Sequence, residues 1–417
     1  MTKRVLALAA VAATAATSAS AAGLDRSFQS ISPIFNDSGT LSFSHSRVMP
    51  SVTGSDSTGA SYDVGESYSN TTLAYTHGVS DKFTLGFIVD QPFGADTFYN
   101  GDPTATNLAG TAAELSSEAF TLLGKYQLNE RVSLIGGIKG QRVKADVKLN
   151  GLSYARAIST SAVARIAGVD STTLGAALLG DPTAIAALGG LATVTALGSQ
   201  VTAQVGQFQA DGGYSFQMDA ETEYGWVVGA AYEIPDIALR LAVTYHSEID
   251  YSANTTETLL GNVGVPGTVN YVTPESLNIE FQTGIAADTL LLASYRWSAF
   301  EDVDVVPFAL GSDLVNLDNA QRFTLGVGRR FSDEWSGTAI LSYEPKGDDD
   351  LVSPLGPTNG LFGISIGGRY VKDNLEVVGG INYSWLGDAE AEVGGQSQAS
   401  FTGNSSVAVG FNVKFTF

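Results

Sequence analysis

The sequence has no cysteine, few charged residues and, beyond its N-terminal segment, no long apolar run. The absence of cysteine excludes a disulfide framework and metal sites built on thiolates, and it suits a chain that crosses an oxidising periplasm. No run of about eighteen or more apolar residues follows the N-terminal segment, which excludes a helical membrane protein of the ordinary type. Neither disulfides nor membrane-spanning helices are therefore expected to hold this fold together.

The shortage of charge conflicts with a surface that faces water. Soluble domains carry about 25% charged residues, whereas this chain of 417 residues carries 16% and has a mean hydropathy of +0.10. A barrel with lipid outside and polar side chains inside resolves the conflict, and 47 glycines and 20 phenylalanines fit twisted strands with aromatic girdles. The composition favours an all-β fold, a transmembrane antiparallel β-barrel.

The net charge of −21 comes largely from acids between the apolar stretches, as at Asp348–Asp350 and Glu390–Glu392. Such clusters are typical of solvated loops that repel neighbouring molecules. The alternative is that they bind a divalent cation. The charge excludes nucleic acid as a natural partner. We predict no cofactor and no dedicated metal centre.

Both ends of the chain carry signals of export and membrane assembly. Residues 1–21 are predicted to be a signal peptide, with a basic start, the apolar stretch Val5–Thr17 and the small-residue cleavage site Ala19-Ser20-Ala21. At the other end, Val409–Phe417 alternates apolar residues and finishes on an aromatic, as a closing barrel strand does. We expect the outer membrane of a Gram-negative bacterium, with lipid and lipopolysaccharide around the barrel and the assembly machinery engaging the C-terminal strand.

Apolar-alternating segments joined by tight polar turns predict six hairpins. They lie at Thr76–Phe87, Lys125–Gly136, Tyr232–Val243, Gly284–Tyr295, Arg329–Ile340 and Arg369–Gly380. With Leu41–Met49 in front and Val407–Phe417 behind, the count is about fourteen strands, an even number as single-chain barrels require. The barrel is predicted over residues 40–417.

The connections between these hairpins are long, for example Tyr251–Tyr271, and we assign them to the extracellular side with both termini periplasmic. The loop at 151–211 is predicted to be helical, because apolar residues recur at helical spacing and Asp181-Pro182 is a stop-and-restart signal. Its helices form either a lid with its own core or an apolar groove that captures a ligand. The candidate ligand contacts there are Leu174, Leu178, Leu179, Leu188 and Leu191.

The third strand is interrupted at its outer end, in Asp90–Gly94. Proline cannot donate to a strand ladder and a neighbouring glycine permits a kink. This segment either ends the strand or opens a gap through which an apolar ligand leaves sideways. The candidate lateral gate consists of Pro92, Phe93 and Gly94.

Polar and charged side chains within predicted strands must face the lumen, since a lysine or arginine on the lipid face at the midplane costs about 2–4 kcal/mol. Alternation assigns to the lumen Lys125, Lys139, Glu223, Arg240, Glu280, Gln282, Arg296, Arg369 and Lys414. Lys139 and Arg296 lie roughly 19 Å above their turns, well inside the wall. Either of them receives the acidic head group of a ligand, or both pair with lumen acids such as Glu280 and Glu223.

These features together resemble the FadL-type outer-membrane transporters of long-chain fatty acids and other hydrophobic compounds, in a branch similar to that of alphaproteobacteria. The resemblance spans nearly the whole mature chain and rests on strand order, the helical insertion and four segments. They are QPFGAD (Gln91–Asp96), YEIPDIALR (Tyr232–Arg240), FTLGVGRRFSDEWSG (Phe323–Gly337) and YEPKGDDDLVSPLGPTNG (Tyr343–Gly360).

The resemblance implies a mechanism. A ligand is captured in an extracellular groove, passes to a pocket in the barrel and leaves sideways at the kinked third strand, while a short N-terminal hatch plugs the lumen and rearranges on binding. Residues 22–39 would form the hatch, with the apolar members Leu24, Phe28, Ile31, Ile34 and Phe35, of which Phe28 and Phe35 are candidate ligand contacts. Relatives carry a longer plug with Asn-Pro-Ala, where this chain has Phe35-Asn36-Asp37-Ser38-Gly39.

The predicted function is passive uptake of hydrophobic compounds, foremost long-chain fatty acids, by a monomeric transporter. A water-filled porin for small hydrophilic solutes is the first alternative, although an apolar helical loop and hatch do not suit it. An outer-membrane enzyme is the second, but His45, His77 and His246 lie on different strands and no G-x-S-x-G motif follows a strand into a helix, so we predict no catalytic residue. A structural barrel or adhesin is a further alternative.

Overall fold

The computed structural model describes residues 24–315, 317–347 and 351–417, so the predicted signal peptide and the acidic run at 348–350 lie outside the described residues. The chain forms a closed antiparallel barrel of 14 strands. The first strand, β1 (Thr40–Ser51), pairs along its whole length with the last, β14 (Ser405–Thr416), which closes the sheet. The strands between them are β2 (Tyr68–Gly78), β3 (Phe83–Asp90 and Gly94–Phe98), β4 (Ala112–Gln127), β5 (Val132–Leu149), β6 (Tyr214–Ile234), β7 (Leu239–His246 and Ile249–Leu259), β8 (Asn262–Thr273 and Ser276–Ala286), β9 (Thr289–Ser298), β10 (Ala320–Arg330), β11 (Trp335–Glu344), β12 (Leu361–Lys372) and β13 (Leu375–Leu386).

All six predicted hairpins are present, and their turns lie at one end of the barrel, which we call the short-turn end. Three of the turns place a residue at positive φ, namely Ala238, Asp288 and Asp373. Aspartate tolerates that backbone region because its side chain bonds locally to the main chain. The opposite end carries the long connections, and we call it the long-loop end.

The prediction of a loop at Tyr251–Tyr271 is wrong, because these residues extend β7 and β8 as a strand pair. In Ile249–Leu259 every second side chain is buried, including Tyr251 and Ala253, and the alternate positions are polar and at least partly exposed. A strand with one face in water lacks the apolar outer face that marks a lipid-facing strand, so its pattern resembled a polar loop.

The outer surface of the barrel is apolar, as the alternation predicts. On β6 the side chains of Tyr224, Trp226 and Val228 point outward, whereas Val227 is buried inside. On β7 the side chain of Leu241 is exposed on the outside and Ala242 is buried. The outer surface therefore suits lipid.

Helices and a second sheet cover the long-loop end. Between β5 and β6 lie four helices, α1 (Leu152–Ala167), α2 (Ser171–Leu178), α3 (Pro182–Ala187) and α4 (Leu191–Ala210). None of the helices in the described ranges is both long and apolar enough to cross a membrane. The loop sheet consists of five short strands, Thr53–Asp56, Ser61–Asp63, Leu351–Val352, Ala389–Glu392 and Ser397–Phe401.

Residues 24–39, here called the hatch segment, run inside the barrel before β1 begins. Ile34, in a short 3₁₀ helix at Ser32–Phe35, and Ile31 just before it are buried against inward side chains such as Leu123 and Val227. The hydroxyl of Thr76 donates a hydrogen bond of 2.6 Å to the carbonyl of Pro33. The hatch segment therefore packs against the wall with its apolar side.

Candidate ligand pathway

An apolar cavity of about 750 Å³ lies between the barrel wall and the loops of the long-loop end. Hydrophobic pockets that exclude water are the usual sites for apolar ligands. Among the described residues, Arg26 and Lys346 are the only cations in its lining, which also includes the acids Glu66, Asp96, Glu114, Glu301, Asp318, Glu344 and Glu392. The apolar lining includes Val52, Val64, Phe93, Leu115, Val143, Phe216, Met218, Tyr271, Phe300, Val305 and Leu314.

The wall of the barrel is open beside this cavity, between β2 and β3. The two strands pair from the short-turn end only as far as Leu73 and Val89. Within the described residues their next backbone bridge joins Gly65 to Thr97, beyond the gap. The opening spans several residues of each strand. Over this stretch the backbone of β2 pairs with β1 alone, and the amide of Thr71 donates to the side chain of Gln91 (Oε1) at 2.9 Å.

The gap coincides with a bulge in β3. Asp90 lies opposite Ala119 of β4, and Gly94 lies opposite Ser116, so the three residues 91–93 face two. Bulges bend a strand and disturb its pairing. The candidate gate residues Pro92, Phe93 and Gly94 all lie at this bulge or its edge.

The hatch segment fills the gap with its own backbone. The amide of Arg26 donates to the carbonyl of Pro92 on β3 at 2.8 Å, and the carbonyl of Arg26 accepts from Asn70 Nδ2 on β2 at 2.7 Å. Asp25 and Phe93 form an isolated antiparallel bridge. The hatch segment thus takes the place of the missing strand-to-strand hydrogen bonds.

The Arg26 side chain lies in the same opening. Its Nη2 is 2.6 Å from Asp96 Oδ2, and its Cζ is 3.8 Å from the centre of the Tyr68 ring. A methyl group on Gly94 would lie 2.4 Å from the Arg26 Cζ, so only glycine leaves room for the guanidinium. A side chain at position 94 would therefore displace the guanidinium of Arg26.

Arg296, one of the two candidate head-group residues, is bound to the hatch segment instead of to a strand acid. Its Nε is 2.5 Å from Asp25 Oδ2, and its Nη1 donates to Asn278 Oδ1 at 2.8 Å. The predicted pairing with Glu280 or Glu223 is wrong for Arg296, because the hatch segment brings a closer carboxylate into the lumen. Lys139 is buried in the wall, and neither cation lines the apolar cavity.

The two candidate phenylalanines of the hatch segment each lie beside cations. The Arg322 Cζ is 4.5 Å from the centre of the Phe28 ring, and the Arg240 Cζ is 4.3 Å from that of Phe35. Phe28 and Gln29 both have positive φ, 54° and 47°, a conformation that costs free energy for residues other than glycine. The surroundings hold it in place, since Asn278 Nδ2 donates to the Phe28 carbonyl at 3.0 Å.

The leucines of the helical insertion lie outside the cavity. Leu174 is fully buried in a core that α1, α2 and α4 share, and Leu188 is partly buried beside it. Leu178 is partly exposed, while Leu179 and Leu191 are 87% and 67% exposed. Their role as ligand contacts stays a prediction.

Below the hatch segment lies a second space, of about 540 Å³, whose lining is more polar than that of the apolar cavity. Glu376 binds Arg369 at 2.7 Å and Lys414 at 3.3 Å on its wall. Further polar residues complete the lining, among them Ser42, Ser44, Thr72, Asp90, Arg240 and Asn412. An apolar molecule would therefore gain less from this space than from the apolar cavity.

The loop sheet above the cavity is fixed by Asp56. Burial raises the pKa of this carboxyl, but hydrogen bonds from Thr58, Tyr62 and two backbone amides outweigh burial and lower its pKa overall. Burial, followed by the hydrogen bond to Asp56, raises the pKa of Tyr62 to about 12. No cluster of three or more potential metal ligands occurs in the described part of the chain.

Comparison with known proteins places the chain among barrels of this type. Residues 11–417 match the family described as "Outer membrane protein transport protein (OMPP1/FadL/TodX)". The chain belongs to this family. It is 23% identical over 327 residues to outer membrane protein P1 of Haemophilus influenzae, and the match spans 75% of this chain but only 65% of that relative.

Solved members of the OMPP1/FadL/TodX family share the fold at low sequence identity. A FadL homologue of Pseudomonas aeruginosa superposes with a TM-score of 0.66 at 14% identity, covering 92% of both chains. The toluene transporter TodX of Pseudomonas putida gives 0.61 at 14% identity over 97% of this chain and 96% of that one. The toluene transporter TbuX of Ralstonia pickettii gives 0.57 at 13% identity over 97% of each. The family consists of outer-membrane transporters for hydrophobic compounds and not of enzymes.

Sequence reasoning missed Asp25, Arg26 and Asp96 as members of the site. Asp25 and Arg26 are adjacent charges that precede an uncharged stretch of the hatch segment, which was a usable signal. Their partners are 70 and 271 positions away along the chain, so no local pattern identifies them.

Proposed function

We propose that this protein is a passive uptake pathway for hydrophobic small molecules, with long-chain fatty acids as its substrate class. The ligand occupies the apolar cavity and leaves sideways into the outer membrane between β2 and β3. The observation that carries this proposal is that the cavity adjoins a gap in the wall, and that hatch residues fill the gap. Asp25 and Arg26 supply hydrogen bonds there that neighbouring strands supply elsewhere.

The polar space below the hatch segment supports a sideways route over a downward one. Moving an apolar chain from an apolar cavity into water costs about 25 cal/mol of free energy for each Å² of apolar surface that becomes exposed. The lipid outside the gap avoids that loss, whereas the space around Arg369, Glu376 and Lys414 does not. We therefore keep Pro92, Phe93 and Gly94 as the proposed lateral gate.

The helical insertion is proposed to capture the ligand first. Leu178, Leu179 and Leu191 present apolar side chains at its surface, while Leu174 and Leu188 support the fold of the helices. Monomeric function and recognition of the C-terminal strand by assembly machinery stay predictions.

The bulge in β3 gives a direct test of the lateral route. Deleting Pro92 leaves two residues opposite two and restores a regular ladder between β3 and β4, which should close the gap. We expect uptake of labelled oleate to fall at least tenfold in cells that lack other transporters of this family. Pro92→Ala keeps the bulge count and is the matched control. Normal uptake by the deletion variant, with a correctly assembled barrel, would refute the lateral route.

A further inference from the structure

Arg26 stands where the cavity, the gap and the hatch segment meet. Its side chain lines the apolar cavity, its backbone bridges β2 and β3, and it is about nine-tenths buried. A buried cation in a mostly apolar lining is costly unless its hydrogen-bond donors are used. The hydrogen bonds of Arg26 therefore indicate what else the site is built to hold.

The guanidinium has a donor to spare. Nη2 donates to Asp96, but Nε is buried and has no hydrogen-bond partner among the described residues. Buried donors are almost always satisfied, and an unsatisfied one calls for a missing partner. The planar fork of a guanidinium matches a carboxylate, which accepts two parallel hydrogen bonds.

The plane of the guanidinium is held ready for such a partner. Tyr68 covers one side at 3.8 Å and the bare Cα of Gly94 leaves room on the other. Asp96 is held less firmly, because its side chain is 30% exposed and returns to water at little cost. An incoming carboxylate can thus replace Asp96 without leaving a buried charge unpaired.

We propose that Arg26 receives the carboxylate of a hydrophobic acid whose chain occupies the cavity, in place of Asp96. The inference rests on the proposed function and names the residue that recognises the polar end of the ligand. The backbone of Arg26 also fills the gap between β2 and β3. Replacement of Asp96 by the ligand carboxylate therefore affects the same residues that close the barrel wall. A neutral hydrophobic compound has no group to exchange and depends on the apolar lining alone.

Arg26 suits this role better than the cations predicted from the sequence. Arg296 is already bound to Asp25, and neither Arg296 nor Lys139 lines the cavity. Lys346, the other cation of the lining, lies beyond β11 and not at the gap.

The test compares an acid with its ester in proteoliposomes that contain the full barrel. Saturable uptake of labelled laurate and of methyl laurate is measured for the wild type and for Arg26→Gln, Arg26→Lys, Gly94→Ala and Asp96→Asn. Arg47→Gln is the matched control, since Arg47 is exposed on β1 and does not line the cavity. Heat-modifiable migration of each variant verifies assembly.

We expect Arg26→Gln to weaken laurate half-saturation about tenfold or more and to change methyl laurate less than threefold. Arg26→Lys should recover only part of the loss, because an ammonium lacks the fork. Gly94→Ala should act like Arg26→Gln by displacing the guanidinium, and Asp96→Asn should strengthen laurate uptake severalfold. Equal losses for acid and ester, or no loss for either, would overturn the role of Arg26. If the wild type transports neither compound, the proposed function itself fails.

Discussion

Arg296 holds the hatch segment in place through a buried ion pair. It reaches from β9 to Asp25 of the hatch segment, and both side chains are more than nine-tenths buried. Removal of one partner of a buried ion pair costs about 3–5 kcal/mol, because the other charge is left uncompensated. The pair therefore ties the hatch segment to the wall opposite the gap.

Replacement of Arg296 by methionine should loosen the hatch segment. Asp25 would then be a buried carboxylate without its cation, and movement of the hatch segment toward water lowers that free-energy cost. We expect higher single-channel conductance in planar bilayers for Arg296→Met than for the wild type, which should be almost silent. Arg330→Met is the matched control, since it breaks the exposed pair with Asp288, and such pairs contribute about 0–1 kcal/mol. A silent Arg296→Met barrel would show that other contacts hold the segment.

At the scale of elements, the hairpins could be predicted and the contacts of the hatch segment could not. A turn such as Asp373-Asn374 is specified by residues next to one another, and alternation then fixes the faces of both strands. The extension of β7 and β8 beyond the membrane was predicted to be a loop, because one face of these strands is polar and exposed to water. The bridge between Asp25 and Phe93 joins residues that are far apart in the sequence, so no local periodicity predicts it.

The helical insertion permits a test of ligand capture that spares its core. Asp at both Leu179 and Leu191 should lower oleate uptake at limiting substrate, because each apolar side chain contributes roughly 1.5–3 kcal/mol when a ligand covers it. Both positions are exposed, so assembly should be unaffected. Val263→Asp, at an exposed position near the start of β8, is the matched control. If the double variant and the control behave alike, the helices do not capture the ligand.

At the scale of the whole molecule, the barrel depends on a seam formed by the two ends of the chain. β14 pairs with β1 on one side and with β13 on the other. Beyond the ladder, the amide of Phe417 donates to the carbonyl of Gly39 at 3.1 Å, where the hatch segment becomes β1. The same contact between Phe417 and Gly39 therefore helps to close the barrel wall and to position the hatch segment.

Removal of the aromatic end should prevent that closure. Phe415 and Phe417 form an edge-to-face pair with ring centres 4.9 Å apart, and both are exposed on the outer surface at the short-turn end. Aspartate at both positions places charge in the aromatic girdle and removes the apolar face of the closing strand. We expect the double variant to accumulate unassembled in the periplasm, as measured by loss of the heat-modifiable form from the membrane fraction. Phe308→Asp is the control, because Phe308 is an exposed phenylalanine in a loop of the long-loop end. Normal assembly of the double variant would mean that pairing along β1 and β13 alone closes the barrel, with no contribution from its terminal aromatics.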